Sequence, residues 1–231
     1  HLDGHYPDCA LQAARWMQEA GGRVCLDCRR TTEPSVQSAT VELLEYVDVL
    51  ICGSGFCCAL TGETEIEAAG LRALEAGPQV VVETRGEGGS FSFSTAEQFH
   101  TPACDVEVLD TTGAGDVFHG AYLVGLLHDW NLRATAQFAT AAAALKCAKL
   151  GGRRGIPNLE ETLEFLQRRG VRLTPLRRRV LEAVWSSHRP VGAYDILTTL
   201  SSERGTTAAV RRVKNSTRTF ASAKTDSPPM T

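Results

Sequence analysis

Aromatic residues are scarce, at 6% of the 231 residues, and methionine occurs only twice. The interior must therefore be built mainly from Val, Leu, Ile, Ala and Cys rather than from large rings. No run of about 18 apolar residues is present, which excludes a helical membrane span. The opening His1-Leu2-Asp3-Gly4-His5 has neither a basic segment nor an apolar core, so no signal peptide is expected. It also lacks an initiator Met, and the chain is expected to begin inside a larger reading frame or to have been cut.

Eight cysteines are present. The length and the missing signal argue against a disulfide scaffold. Cys25-x-x-Cys28 has no second pair at zinc-finger spacing and lies within an apolar strand pattern. Plain reduced thiols are expected there and at Cys57-Cys58, with a cytoplasmic location.

The net charge of −3 conceals an asymmetry. From Arg168 to the end there are 13 Lys/Arg against 4 Asp/Glu, and before it 11 against 23. The front is acidic and the back basic, which suggests two pieces with an anionic partner for the second.

Up to about residue 168, short apolar runs alternate with amphipathic stretches. Helices are expected over Asp8–Ala20, Val36–Tyr46, Glu63–Ala76, Gly115–His128, Leu132–Leu150 and Leu159–Leu166. Strands are expected at Val24–Leu26, Val49–Cys52, Val80–Val82, around Phe91 and Phe93, and around Val106 and Val108. This alternation implies an α/β fold, a mostly parallel sheet with helices on both faces.

The segment Asp110-Thr111-Thr112-Gly113-Ala114-Gly115-Asp116 carries the chemistry. A strand pattern runs into a turn of small residues and then into a helix. Backbone N–H groups at a helix start are unpaired, and the dipole adds positive potential. Gly113, Ala114 and Gly115 let an anion approach that backbone closely. Asp116, in the first turn, can accept a proton from a hydroxyl that attacks a phosphate. The bland alternative is a strand–helix turn in which Asp116 only favours the helix start.

With Phe118-x-Gly120-Ala121, this run resembles the C-terminal signature of the ribokinase (PfkB) carbohydrate kinases. The resemblance implies a ribokinase-like domain over residues 1–168, with the N-terminal part of the family's fold missing. It implies an ATP-dependent kinase acting on a sugar hydroxyl. Asp116 would be the base, and Gly113, Ala114, Gly115 and the Asp116 amide the anion hole. Asp110 and Thr112 would lie where the family holds a monovalent cation, often K⁺. Val80–Gly89 resembles the family's nucleotide strand and turn, placing Thr84, Gly86 and Gly88 near the ribose and phosphates. Ala139–Gly155, with Gly152, resembles the adenine-flanking helix and loop. For each of these two, ordinary helix and turn glycines are the alternative. Asp3 and Asp27 resemble strand-end positions where open α/β sheets bind ligands. The opening and Ala143–Cys147 lean towards the fructose-type branch.

Two departures bear on activity. The family's N-terminal half would supply a lid and many sugar contacts, so the chain alone reads as either a kinase or an inactive fragment. The family's Asn-x-x-Glu, which orders Mg²⁺, is replaced by Gly53-Ser54-Gly55-Phe56. Mg²⁺ would then be held mainly by ATP and water.

Residues 169–200 resemble the first two helices of a Fur-type winged helix, nearest its zinc-uptake branch, through Leu173-Thr174-Pro175 and Pro190–Leu197. That gives the competing reading, a DNA-binding regulator. No recognition helix follows, and Arg177–Arg179 reads more readily as a solvated face. Residues 201–231 form a basic tail expected to be disordered, with weak, salt-dependent nucleic-acid contact. Whether the chain forms a homodimer is left open.

Overall fold

Three apolar runs form the spine of the sheet. The computed structural model describes residues 1–171. Strands β1 (Cys25–Cys28), β2 (Val49–Gly53) and β3 (Val80–Thr84) pair in parallel, with Leu26 beside Leu50 and Leu50 beside Val81. Then the direction reverses. β4 (Ser90–Ser94) and β5 (Gln98–Thr101) are antiparallel, giving the order β1-β2-β3-β4-β5. The link from β3 to β4 is one short turn over Gly86–Gly88, too short for a crossover helix, so β4 must come back as a hairpin. The fold is α/β as expected, and its sheet is mixed.

The helices are α1 (Pro7–Glu19), α2 (Ser38–Leu44), α3 (Phe56–Thr61), α4 (Ile66–Ala73), α5 (Ala114–Leu127), α6 (Leu132–Cys147) and α7 (Leu159–Arg168). One face of the sheet presents Leu26, Leu50, Cys52, Val81 and Phe93 to Ala10, Ala14, Leu43, Leu44, Ile66, Ala69 and Ala73. Burying each large aliphatic side chain there contributes roughly 1.5–3 kcal/mol. Gly70 is required because a Cβ would run into the Phe93 ring. α5 and α6 pack closely on each other, and α6 also meets β4 and β5. α7 opens with a capping box: the Glu161 amide donates to Asn158 Oδ1 at 2.9 Å and the Asn158 amide to Glu161 Oε2 at 2.8 Å.

The strand expected at Val106 and Val108 does not form. Leu109 and Asp110 send their N–H groups to the Cys147 carbonyl at the end of α6, and Val108 is exposed. Alternation alone is insufficient where no neighbouring strand offers a ladder. The winged-helix resemblance from Arg172 onward, and the tail from Ser201, lie outside the described residues. Among the described residues no helix is long and apolar enough to cross a membrane. All eight cysteines are free. Burial pushes the Cys25 and Cys28 thiols up to about 12.

Candidate active site

The carboxyl ends of β1, β2 and β3 share one edge, which brings Asp27, Gly53 and Thr84 to the same side of the sheet. The N-terminal segment joins that edge. Leu2 donates to the Cys25 carbonyl and accepts from the Asp27 amide, both at 2.8 Å, so Asp3 arrives beside Asp27. Thr84 anchors the β3 end by donating from Oγ1 to the Cys52 carbonyl at 3.2 Å. The following turn holds Gly86 at φ +58°, and the Gly88 carbonyl lies 2.7 Å from His100 Nε2.

The Asp110–Asp116 run forms a tight loop that feeds α5. Gly113 caps the helix at φ +77°, a conformation open to glycine, and its missing Cβ clears the Gly152 carbonyl. The Ala114 amide donates to the Thr111 carbonyl and that of Val117 to Gly113, each at 3.0 Å. Among the described residues no acceptor meets the amides of Gly115 and Asp116. Nothing lies within 4 Å of where a Gly115 Cβ would stand. Two unpaired amides at a helix start suit a phosphate.

Asp110 braces the loop. Its carboxylate accepts from the Thr112 amide at 2.8 Å and the Gly151 amide at 2.7 Å. Those bonds, Thr112's foremost, pull its pKa down to about 2. The Lys146 ammonium, on a fully buried side chain, donates to the Asp110 carbonyl at 2.7 Å. Both carboxylate oxygens of Asp110 are thus occupied by amide donors from Thr112 and Gly151.

Asp27 and Asp116 are electrostatic neighbours. Burial raises the pKa of Asp27, the His119 ring opposes that, and the charges of Asp116 and Asp3 add to it. His119 Nε2 lies 3.3 Å from Asp27 Oδ1, and Nδ1 lies 2.7 Å from the Gly115 carbonyl. Asp27 thus feels the charges of Asp3 and Asp116, and His119 bridges it to the start of α5.

Gly53-Ser54-Gly55-Phe56 has a structural reason for its glycines. A Cβ at Gly53 would strike the Arg30 backbone, and one at Gly55 the Thr31 carbonyl. Glu83, fully buried, accepts from the Gly55 amide at 3.1 Å and the Cys57 amide at 3.0 Å, with Arg85 Nε at 3.5 Å. Its carboxylate is close to Cys52 and Cys57 as well. That carboxylate has two amide donors, and burial holds the Cys52 thiol well above its ordinary value, so hydrogen bonds tie this group into the core.

The family model for pfkB carbohydrate kinases matches residues 1–159. The chain belongs to this family. A ribokinase from Haemophilus influenzae is 32% identical over 131 residues, covering 54% of this chain and 43% of the relative. Among solved structures, ribokinase from Thermotoga maritima superposes with a TM-score of 0.62 at 32% identity, covering 72% of this chain and 55% of that one. Ribokinase from Arabidopsis thaliana, complexed with ribose and ATP, gives 0.61 at 28% identity, with 70% and 53% covered. The chain spans about half the length of the relatives it matches.

Sequence reading of this pfkB-family chain overlooks His119, Lys146 and Glu83. Each carried a signal. His119 follows Gly115 by four residues and so shares its helix face. Lys146 is a lone cation behind the apolar run Ala141–Leu145, and Glu83 is a lone acid in an apolar strand. A charge in such a place is seldom fully buried without a partner.

Proposed function

We propose that residues 1–168 supply the phosphate-binding and base half of an ATP-dependent carbohydrate kinase. The observation that carries this is the pair of unpaired amides, Gly115 and Asp116, at the start of α5, with the Asp116 charge acting on the Asp27 carboxylate. The sugar hydroxyl gives its proton to the Asp116 carboxylate as its oxygen attacks the γ-phosphorus. The bond from that phosphorus to the β,γ-bridging oxygen breaks, and ADP leaves. The amides, with those of Gly113 and Ala114 shaping the turn, stabilise the charge on the transferring group.

Asp3 and Asp27 bind the sugar's other hydroxyls. The ribose complex of the Arabidopsis relative supports a sugar substrate, and the opening sequence leans towards a fructose-type one. Thr84, Gly86 and Gly88 face the nucleotide, together with Gly152. Mg²⁺ is held by the phosphates and water, because Gly53–Phe56 offers no carboxylate. Asp110 and Thr112 hold K⁺ beside the anion hole.

The test is calorimetry of ATP binding with Mg²⁺ and K⁺, paired with ADP release over a panel of sugars. ATP binding with sugar-stimulated ADP release is expected. A folded chain that binds no ATP would overturn the proposal.

A further inference from the structure

We propose that His119 is a positioning residue that ties the sugar-side carboxylate of Asp27 to the peptide group bearing the Asp116 amide. This rests on the kinase reading above. The Gly115 carbonyl and the Asp116 N–H belong to one peptide unit. His119 Nδ1 lies 2.7 Å from that carbonyl oxygen. A donor on the oxygen polarises the unit and strengthens the N–H on its other end, since linked hydrogen bonds reinforce one another. The imidazole therefore acts from behind on the amide that would face the phosphate.

The other nitrogen reaches the sugar side. Nε2 is 3.3 Å from Asp27 Oδ1 and 3.3 Å from the Ile51 carbonyl. The side chain is only 8% exposed. It is held between oxygens of β1, β2 and α5, with the Phe118 ring at 6.3 Å and the His1 ring at 6.2 Å. The charged group it meets is Asp27, which in turn feels the charges of Asp116, Asp3 and His5. A histidine placed only for packing would need one carbonyl partner. This one spans a strand-end carboxylate and the start of α5, so a shift at either end moves the other.

Two substitutions separate the links. The amide nitrogen of Asn overlays Nδ1, and that of Gln overlays Nε2. His119→Asn keeps a donor for Gly115 and abandons Asp27. His119→Gln does the reverse. Loss of one charge-linked hydrogen bond is expected to change the affected parameter about tenfold. For His119→Asn the loss falls mainly on the sugar KM, and for His119→Gln mainly on kcat. Equal losses in both parameters for both variants would mean a merely structural role and overturn the proposal.

A second readout needs no turnover. The Asp116 amide proton is expected to move upfield in His119→Gln and less so in His119→Asn. An unmoved resonance in His119→Gln would contradict the proposal. If the Gln variant does not fold, ring-nitrogen spectra of the unaltered chain decide: Nδ1 should carry a proton, and a bare Nδ1 would refute the link. A chain that shows no sugar-dependent turnover would fail the kinase reading, while these spectra still judge His119.

Discussion

Lys146 Nζ and the Asp110 carbonyl meet at 2.7 Å, which pins the end of α6 to the loop that begins the site. The Leu109 and Asp110 amides return to the Cys147 carbonyl one residue along, so the loop is held from both directions. Removing the buried ammonium leaves a part-buried carbonyl without its donor and opens a cavity. Lys146→Ala should destabilise the fold by about 3 kcal/mol in urea unfolding. A loss below about 1 kcal/mol would mean the contact is incidental.

Gly113 and Gly115 should respond differently to alanine. Gly113 sits at φ +77°, and a Cβ there would stand 3.0 Å from the Gly152 carbonyl. Gly113→Ala should cost about 1–2 kcal/mol of stability. Gly115 has an ordinary φ and open space around it. Gly115→Ala should keep stability within about 0.5 kcal/mol, yet weaken ATP binding, because the methyl group enters the proposed phosphate space. Thermal melts alongside calorimetry separate the two effects.

Asp27 and Asp110 make opposite contributions to acid stability. Asp27 holds its proton more tightly folded than unfolded, chiefly through burial. Stability should therefore fall as pH rises from the ordinary carboxylate value through the raised one, and Asp27→Asn should remove that slope. Asp110 is held down at about 2 by the Thr112 and Gly151 amides. Its contribution is present above the ordinary carboxylate value and is lost as pH falls towards 2. Asp110→Asn should remove that loss. Unfolding midpoints across the acid range for the unaltered chain and both variants check the signs. An unchanged slope in Asp27→Asn would contradict its placement.

Much of the frame was legible because β1, β2 and β3 are continuous apolar runs and α1, α5 and α6 carry long helical patterns. α3 was missed: its six residues follow a Gly-Ser-Gly turn and are too few to display a period. β5 was missed because Gln98 and His100 on its exposed face carry no strand signal. At the site, the glycine-rich run and its aspartates stand together in the sequence. The link from Asp27 to His119, and that from Glu83 to the start of α3, join distant segments through tertiary packing. No local pattern encodes which strand end a helix start will face.

Glu83 offers a further check on that packing. Its carboxylate satisfies the Gly55 and Cys57 amides from a fully buried position. Glu83→Ala should orphan both donors and lower stability by roughly 2–4 kcal/mol, measured by urea unfolding. Glu83→Gln, which keeps one acceptor oxygen, should cost less. Equal costs would show that the oxygens are not what holds the turn.

The most direct test is sugar-stimulated ADP release by the unaltered chain and by Asp116→Asn, with ATP affinity measured on both. If Asp116 takes the hydroxyl proton, turnover should fall by about 10²- to 10⁴-fold, with ATP affinity changed only a few-fold. Turnover retained in Asp116→Asn would contradict the assignment of the base.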